Sequence, residues 1–284
     1  MCRFTAYLGR PIVLNDILYK PKNSLIKQST SAKEMEEPLN GDGFGMAWYD
    51  YRLDPLPGVF KTIQPAWNDV NLETLSGKIS SECFLAHVRA ASTGNVNVFN
   101  THPFTFQEYS FMHNGGIAGF EEIRRSLRAA LSDEMDGWIK GQTDSEHFFA
   151  LFLDLFLKTK LDFNLESCYF IVREAIDYVA LLQHKAHIHD PSYINFVLSN
   201  GKCLFVLRYV SKSNYMAPSL HYSYGDSLEY ENGNCVMQPS LSHQNHAVLV
   251  ASEKLASHKM HWHDVPTNHV LFVNENLETK VKAL

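Results

Sequence analysis

Two long helical patterns stand back to back in the middle of this chain, SEHFFALFLDLFL (residues 145–157) and ESCYFIVREAIDYVALLQHK (166–185). In both, apolar residues recur at helical spacing, and Thr143 or Asp144 can cap the first. Strand-like segments lie on either side: CRFTAYLG, FGMAWYDY, VFKTI, CFLAHVRAAS and YSFMHNGGI before them, and YINFVLSNG, KCLFVLRYV, SLHYSYG, HAVLVAS and NHVLFVNE after them. Strands, then consecutive helices, then strands again predict one α+β domain with sheet and helix layers. The polar stretch from Lys20 to about Asn40 reads as a mobile loop, and the segment from about Asp69 to Ser80 as a short helix. The Asn-Gly-Gly of YSFMHNGGI reads as a turn that ends its strand, with a helix from Gly119 to Leu131 beyond it. Asn200-Gly201, between two apolar runs, signals a hairpin.

Composition removes several classes of function. A net charge of −6 without a basic stripe argues against nucleic acid or an anionic membrane as partner. No apolar run reaches the roughly 18 residues of a membrane span, and the first residues lack the pattern of a secretory signal. Five scattered cysteines without a C-x-x-C pair fit reduced thiols, so a cytoplasmic protein is expected. Cys83, Cys168, Cys203 and Cys235 are expected to be plain core residues. The histidines in HKAHIH (184–189) and HKMHWH (258–263) include His258, His261 and His263, which can in principle meet at a metal, but no familiar ligand spacing completes them. Neither a P-loop nor a dinucleotide fingerprint is present, and neither cofactor nor metal is expected.

Chemistry enters at Cys2. If Met1 is removed, one residue carries a thiol and, on its own backbone, an α-amine with a reference pKa near 7.7–8.0 that can serve as the base. If Met1 is retained, the amine is blocked. Short motifs follow that fit acyl transfer. In HNGG (113–116) the Asn114 side-chain amide and the Gly115 backbone can face an oxyanion, although a plain hairpin turn has the same letters. In HVRAAS (87–92) Arg89 can clamp a carboxylate with two parallel bonds or sit in a structural ion pair. In TDSE (143–146) Asp144 can hold an ammonium or cap a helix. Arg89 and Asp144 together would read both charges of an amino-acid head group. His102 in THPF can be a base or, more simply, a hydrogen-bonded scaffold residue, and Gly43 and Gly45 in DGFG permit close backbone approach.

In this order, Cys2, DGFG, HVRAAS, THPF, HNGG and TDSE resemble the class II glutamine amidotransferases, N-terminal nucleophile hydrolases with a four-layer αββα sandwich. The motifs span roughly residues 2–150. With the later ASEKL (251–255) they look like the compact stand-alone branch, which includes a γ-glutamyl-hercynylcysteine sulfoxide hydrolase and a glutathione-degrading amidotransferase-like protein. The resemblance implies a single domain over 2–284, with its core motifs in 2–150 and the remaining sheet and helices in 151–284. It implies Cys2 as nucleophile with its α-amine as base, Arg89 on the substrate α-carboxylate, Asn114 and Gly115 as the oxyanion hole and Asp144 on the α-ammonium. Ser92 and His102 fall near the substrate pocket.

Two departures move the chain away from the ammonia-channelling synthases: Leu39-Asn40-Gly41 stands where many members have Arg-Gly, and His87-Val88-Arg89-Ala90 where synthases carry Thr-Arg-Trp. The implied activity is cleavage of the γ-amide of L-glutamine through a γ-glutamyl thioester, with hydrolysis of a larger γ-glutamyl amide or peptide as the alternative. A synthase or peptidase that works with it would be a separate chain. A non-catalytic subunit that keeps the glutamyl pocket is the competing reading, and an acylase on another amide is a third, which the two-charge clamp opposes.

Overall fold

The computed structural model describes the chain except residues 1, 35–37, 92, 232–233, 241–243 and 257–260. Strand β1 (Arg3–Val13) is followed by α1 (Asn15–Leu18), α2 (Leu25–Ser31), β2 (Phe44–Asp50), β3 (Asp54–Thr62), α3 (Val70–Ser76) and β4 (Ser80–Val88). Then come β5 (Phe104–Phe106), β6 (Tyr109–Gly116), α4 (Phe120–Arg128), α5 (Asp133–Trp138), α6 (Asp144–Thr159) and α7 (Leu165–Lys185). The chain continues through β7 (Tyr193–Ser199), β8 (Leu204–Val210), β9 (His221–Gly225), β10 (Ser227–Glu231), β11 (Asn234–Gln238), β12 (Ala247–Ala251), β13 (His263–Asp264), β14 (His269–Val273) and β15 (Thr279–Ala283).

The strands form two large antiparallel sheets and a hairpin. One sheet runs β13-β9-β12-β1-β4-β2-β3, the other β15-β14-β8-β7-β6-β5, and β10 pairs with β11. Side chains alternate across a strand, and here each face has its own core. Cys83 and Leu85 of β4, Phe4 and Ala6 of β1, Val197 of β7 and Val206 of β8 meet between the sheets. The opposite faces of the first sheet, including Tyr7, Phe44 and Phe84, pack against Ile17, Leu25 and Leu72 of α1, α2 and α3. The opposite faces of the second, including Phe111, Phe196 and Phe205, pack against Ile123 of α4, Phe149 of α6 and Ile171 of α7. The layers are therefore helix, sheet, sheet, helix, the expected αββα sandwich. Tyr49 pins the sheets together: its hydroxyl donates to Glu108 O (2.9 Å) and lies 2.7 Å from Ser110 Oγ.

The sequence reading needs three corrections. The Lys20–Asn40 stretch is not a loop throughout, because residues 25–31 form α2. Several of its polar residues are buried, Asn23, Ser24, Gln28, Ser29 and Asn40 among them: Gln28 Nε2 donates to Asn23 O (2.8 Å), and Asn40 N donates to Ser29 O (2.7 Å). The Asn-Gly-Gly segment is not a turn. Asn114, Gly115 and Gly116 are the last residues of β6, paired with Asn195, Ile194 and Tyr193 of β7. Third, α1, α5, β5, β10, β11, β13 and β15 escaped notice. The four cysteines expected in the core are buried. His258 lies outside the described residues, and among those residues no group of three or more His, Cys, Asp or Glu is placed to hold a metal. None of their helices is long and apolar enough to cross a membrane.

Candidate active site

The site gathers where β1 begins, β4 and β6 end, and α6 starts. Arg3 pairs with Val88 at the end of β4, which sets Cys2 beside the segment that follows. The Ala90 N–H donates to Cys2 Sγ (3.4 Å). Burial pushes the thiol pKa up, while the Ala90 N–H and the Arg89 charge pull it back and Asp144 pushes it up again. Arg89 and Asp144 are thus near enough to act on the thiol electrostatically.

Arg89 is buried, and its guanidinium fork is held by backbone carbonyls. Nη1 donates to Asn95 O (3.2 Å), and Nη2 donates to Thr93 O (3.0 Å) and Gly94 O (3.4 Å). The DGFG segment holds the Arg89 backbone: Arg89 N donates to Gly43 O (2.9 Å), Asp42 N donates to Arg89 O (2.9 Å), and Ala91 N donates to Asp42 Oδ2 (2.8 Å). A guanidinium held in this way needs no reorganisation to receive a carboxylate.

Asn114 is fully buried, and neither Nδ2 nor Oδ1 has a hydrogen-bond partner among the described residues. Buried polar groups are nearly always paired, so this amide is the most informative orphan in the protein. Gly115 is required by close approach: a Cβ there would lie 1.9 Å from Tyr193 O, at a φ of +156°. Strand β6 can press against β7 at this point only with glycine.

Thr143 takes the helix cap, accepting from Glu146 N (3.2 Å), which frees Asp144, the first residue of α6, for the site. Asp144 Oδ2 accepts from Ile117 N (2.8 Å), just past the end of β6, and Oδ1 accepts from Ser145 N (2.8 Å). A carboxylate at a helix N-terminus is stabilised there by the helix dipole and free N–H groups.

Beneath these groups lies a set of neutral histidines that the motif reading did not single out. His87 Nε2 donates to His113 O (3.2 Å), the carbonyl of the peptide that leads into Asn114. His113 Nε2 donates to Tyr193 O (3.2 Å), and its Nδ1 accepts from Ser145 Oγ (2.8 Å). Burial lowers the pKa of His87 to about 3 and that of His113 below its ordinary value. His102 supports them by stacking, not by hydrogen bonding as expected. Its ring lies 4.1 Å from that of His87 and 4.6 Å from that of Phe104, and neither nitrogen has a partner among the described residues. A Cβ on Gly45 would lie 2.0 Å from His102 O, so DGFG and THPF meet through a glycine. Of the expected site residues, Cys2, Arg89, Asn114, Gly115 and Asp144 come together, His102 packs below, and Ser92 lies outside the described residues. Arg3, Asp42, His87 and His113 complete the setting; each stands in or beside a quoted motif, which is the signal that could have found them.

Comparison with known proteins bears on this arrangement. The family described as glutamine amidotransferases class-II matches residues 27–282. The chain belongs to the class II glutamine amidotransferases. It is 38% identical over 294 residues to the Saccharomyces cerevisiae protein named Probable glutamine amidotransferase DUG3, covering 97% of this chain and 82% of that one. It is 30% identical over 119 residues to the gamma-glutamyl-hercynylcysteine sulfoxide hydrolase of Mycobacterium tuberculosis, 41% of this chain and 50% of that one. Among solved structures, a glutamine aminotransferase class-II domain protein from Silicibacter pomeroyi superposes with a TM-score of 0.68 at 27% identity, covering 100% of this chain and 99% of that one. The glutamine phosphoribosylpyrophosphate amidotransferase of B. subtilis shares the fold, with a TM-score of 0.62 at 15% identity, over 99% of this chain and 49% of that one. As a class II amidotransferase this protein is an enzyme of the N-terminal nucleophile type.

Proposed function

We propose that the protein cleaves the γ-amide of L-glutamine through a γ-glutamyl thioester on Cys2. The observation that carries this reading is the Asn114 amide, buried without a partner beside a glycine that admits close approach and within one site with a thiol, a guanidinium and a carboxylate. Leaving such an amide unpaired costs about 1–3 kcal/mol, a cost that makes sense where the missing partner is a transient oxyanion.

In this reading Met1 is removed, and the freed α-amine takes the proton of the Cys2 thiol. The sulfur attacks the γ-carbonyl carbon, and the oxyanion accepts from Asn114 Nδ2 and the Gly115 N–H. The α-amine then gives its proton to the leaving nitrogen, the C–N bond breaks, and ammonia departs. Water attacks the thioester by the reverse sequence and releases glutamate. Arg89 binds the substrate α-carboxylate and Asp144 the α-ammonium, so the clamp holds the end of the substrate that does not react and leaves the leaving group open.

That openness supports a second reading, a larger γ-glutamyl amide as substrate. It agrees with the likeness to a protein named gamma-glutamyl-hercynylcysteine sulfoxide hydrolase. Trapping with 6-diazo-5-oxo-norleucine, read by intact and peptide mass, tests the site: label on Cys2 of a chain lacking Met1 is expected. Label elsewhere, or full glutaminase activity in Cys2→Ala, overturns it. Turnover of a γ-glutamyl peptide without turnover of glutamine reverses the order of the two substrates.

A further inference from the structure

Ser252 and Glu253 follow β12, within the ASEKL segment, and face the first residues of β1. Ser252 holds both peptide groups of Phe4: its N–H donates to Phe4 O (3.0 Å) and its Oγ accepts from Phe4 N (2.9 Å). Glu253, almost fully buried, reaches further. Its Oε2 accepts from Lys33 N (2.9 Å) and Glu34 N (3.2 Å) and lies 3.4 Å from Arg3 Nε, while Oε1 accepts from Asn23 Nδ2 (2.8 Å). Arg3 is fully buried and spreads its fork: Nη1 donates to Cys2 O (3.3 Å) and Nη2 donates to Glu34 O (2.8 Å).

A buried ion pair is a poor device for stability alone, since an apolar pair of similar volume holds a fold as well or better. This pair stands one peptide bond from the nucleophile. A terminal residue frays unless something ties it down. Once Met1 is gone, nothing upstream orients Cys2, and its thiol and its amine both hang from one Cα whose only covalent anchor is the Cys2–Arg3 peptide. The guanidinium fixes the plane of that peptide through Cys2 O, and Glu253 fixes the guanidinium.

We propose that Arg3 and Glu253 are positioning residues that orient the nucleophile and its own amine through the Cys2 carbonyl. The inference rests on the reading of Cys2 as nucleophile. Neither residue touches substrate, so their loss is expected in kcat and not in KM for glutamine. A displacement of the reacting groups of about 1 Å can cost on the order of 10²-fold.

The test uses Arg3→Lys, which keeps the charge and loses the fork, and the charge-free pair Arg3→Met with Glu253→Leu, which keeps a buried apolar contact. Folding is followed by circular dichroism and melting, and rates are normalised to folded protein. Expected in both is a fall in kcat of about 10–100-fold, a KM for glutamine within about threefold of wild type, and a parallel fall in the rate of diazo-oxo-norleucine labelling at Cys2. Wild-type kcat in either folded variant, or a loss carried wholly by KM, overturns the proposal. Failure of the underlying reading looks different: the wild-type protein is then not labelled at Cys2, and Cys2→Ala keeps its activity.

Discussion

Asn114→Ala separates a catalytic amide from a structural one, because the two roles move stability in opposite directions. In the resting protein the side chain is fully buried, and neither polar atom is hydrogen-bonded among the described residues. Leaving the whole amide unpaired costs about 1–3 kcal/mol. Truncation removes both and leaves a small cavity, which costs about 1 kcal/mol. The balance runs from no change to a gain of about 2 kcal/mol. Loss of one oxyanion donor removes about 2.7–4 kcal/mol from the transition state, or roughly 10²–10³ in kcat. The assays are urea unfolding by circular dichroism and glutamate release under saturating glutamine. Expected is a variant at least as stable as wild type and at least about 100-fold slower. A variant destabilised by more than about 1 kcal/mol that keeps kcat within about threefold would refute the reasoning, since the amide would then be holding the fold.

Three further outcomes are expected. Gly115→Ala places a Cβ 1.9 Å from Tyr193 O, so β6 must part from β7 and the oxyanion N–H moves with it. Activity should fall by about 10² or more together with stability, and wild-type turnover in steady-state assays would show that this N–H is not used. Arg89→Lys keeps the charge but loses the fork held by residues 93–95; KM for glutamine should rise by about tenfold or more with a smaller change in kcat, and an unchanged KM would remove Arg89 from the carboxylate clamp. The third concerns acid. Burial lowers the pKa of His87 to about 3 and that of His147 to about 4, so both are neutral when folded and take a proton near pH 6.5 when unfolded. Below pH 6.5 and down to those folded values the unfolded chain binds more protons, so stability falls as pH falls, by up to about 1.4 kcal/mol per pH unit for each histidine. Urea midpoints at pH 7, 6 and 5 check this, and a flat or rising stability over that range would contradict it.

Much of the fold could be read in the sequence where local chemistry and tertiary packing agree. α6 and α7 follow their helical apolar spacing, with Thr143 and Asn164 capping them. Strands β1, β4, β7 and β8 announce themselves because both of their faces are buried. Reading failed where a residue serves a distant partner. Gly115 and Gly116 look like a turn, and they extend a strand because Tyr193 presses on Gly115 from the neighbouring one. Asn23 and Gln28 look like loop residues, and they are buried because Glu253, far along the chain, takes their hydrogen bonds. TKVKA and SLEYE carry too few apolar residues to show as strands, and β15 lies at a sheet edge where few are needed. For the proposed site, Cys2, Arg89, Asn114, Gly115 and Asp144 were singled out because acyl transfer demands those residue types. The support from His87, His113, Arg3 and Glu253 was not, since it depends on which distant group each one reaches.

The central place of β1 has a consequence for how the protein comes into being. The strand behind Cys2 pairs with β4 on one side and with β12 on the other, matching Thr5 to Ala251 and Ala6 to Val250. Strand β1 therefore waits for β12, far along the chain, before both its edges are satisfied. Pairing across so long a stretch of chain forms slowly. Until residues 247–253 have been made, the thiol exists without Ser252 to hold its strand and without Glu253 to steady Arg3. A chain that stops short of those residues thus carries Cys2 without the contacts that hold its strand and steady Arg3.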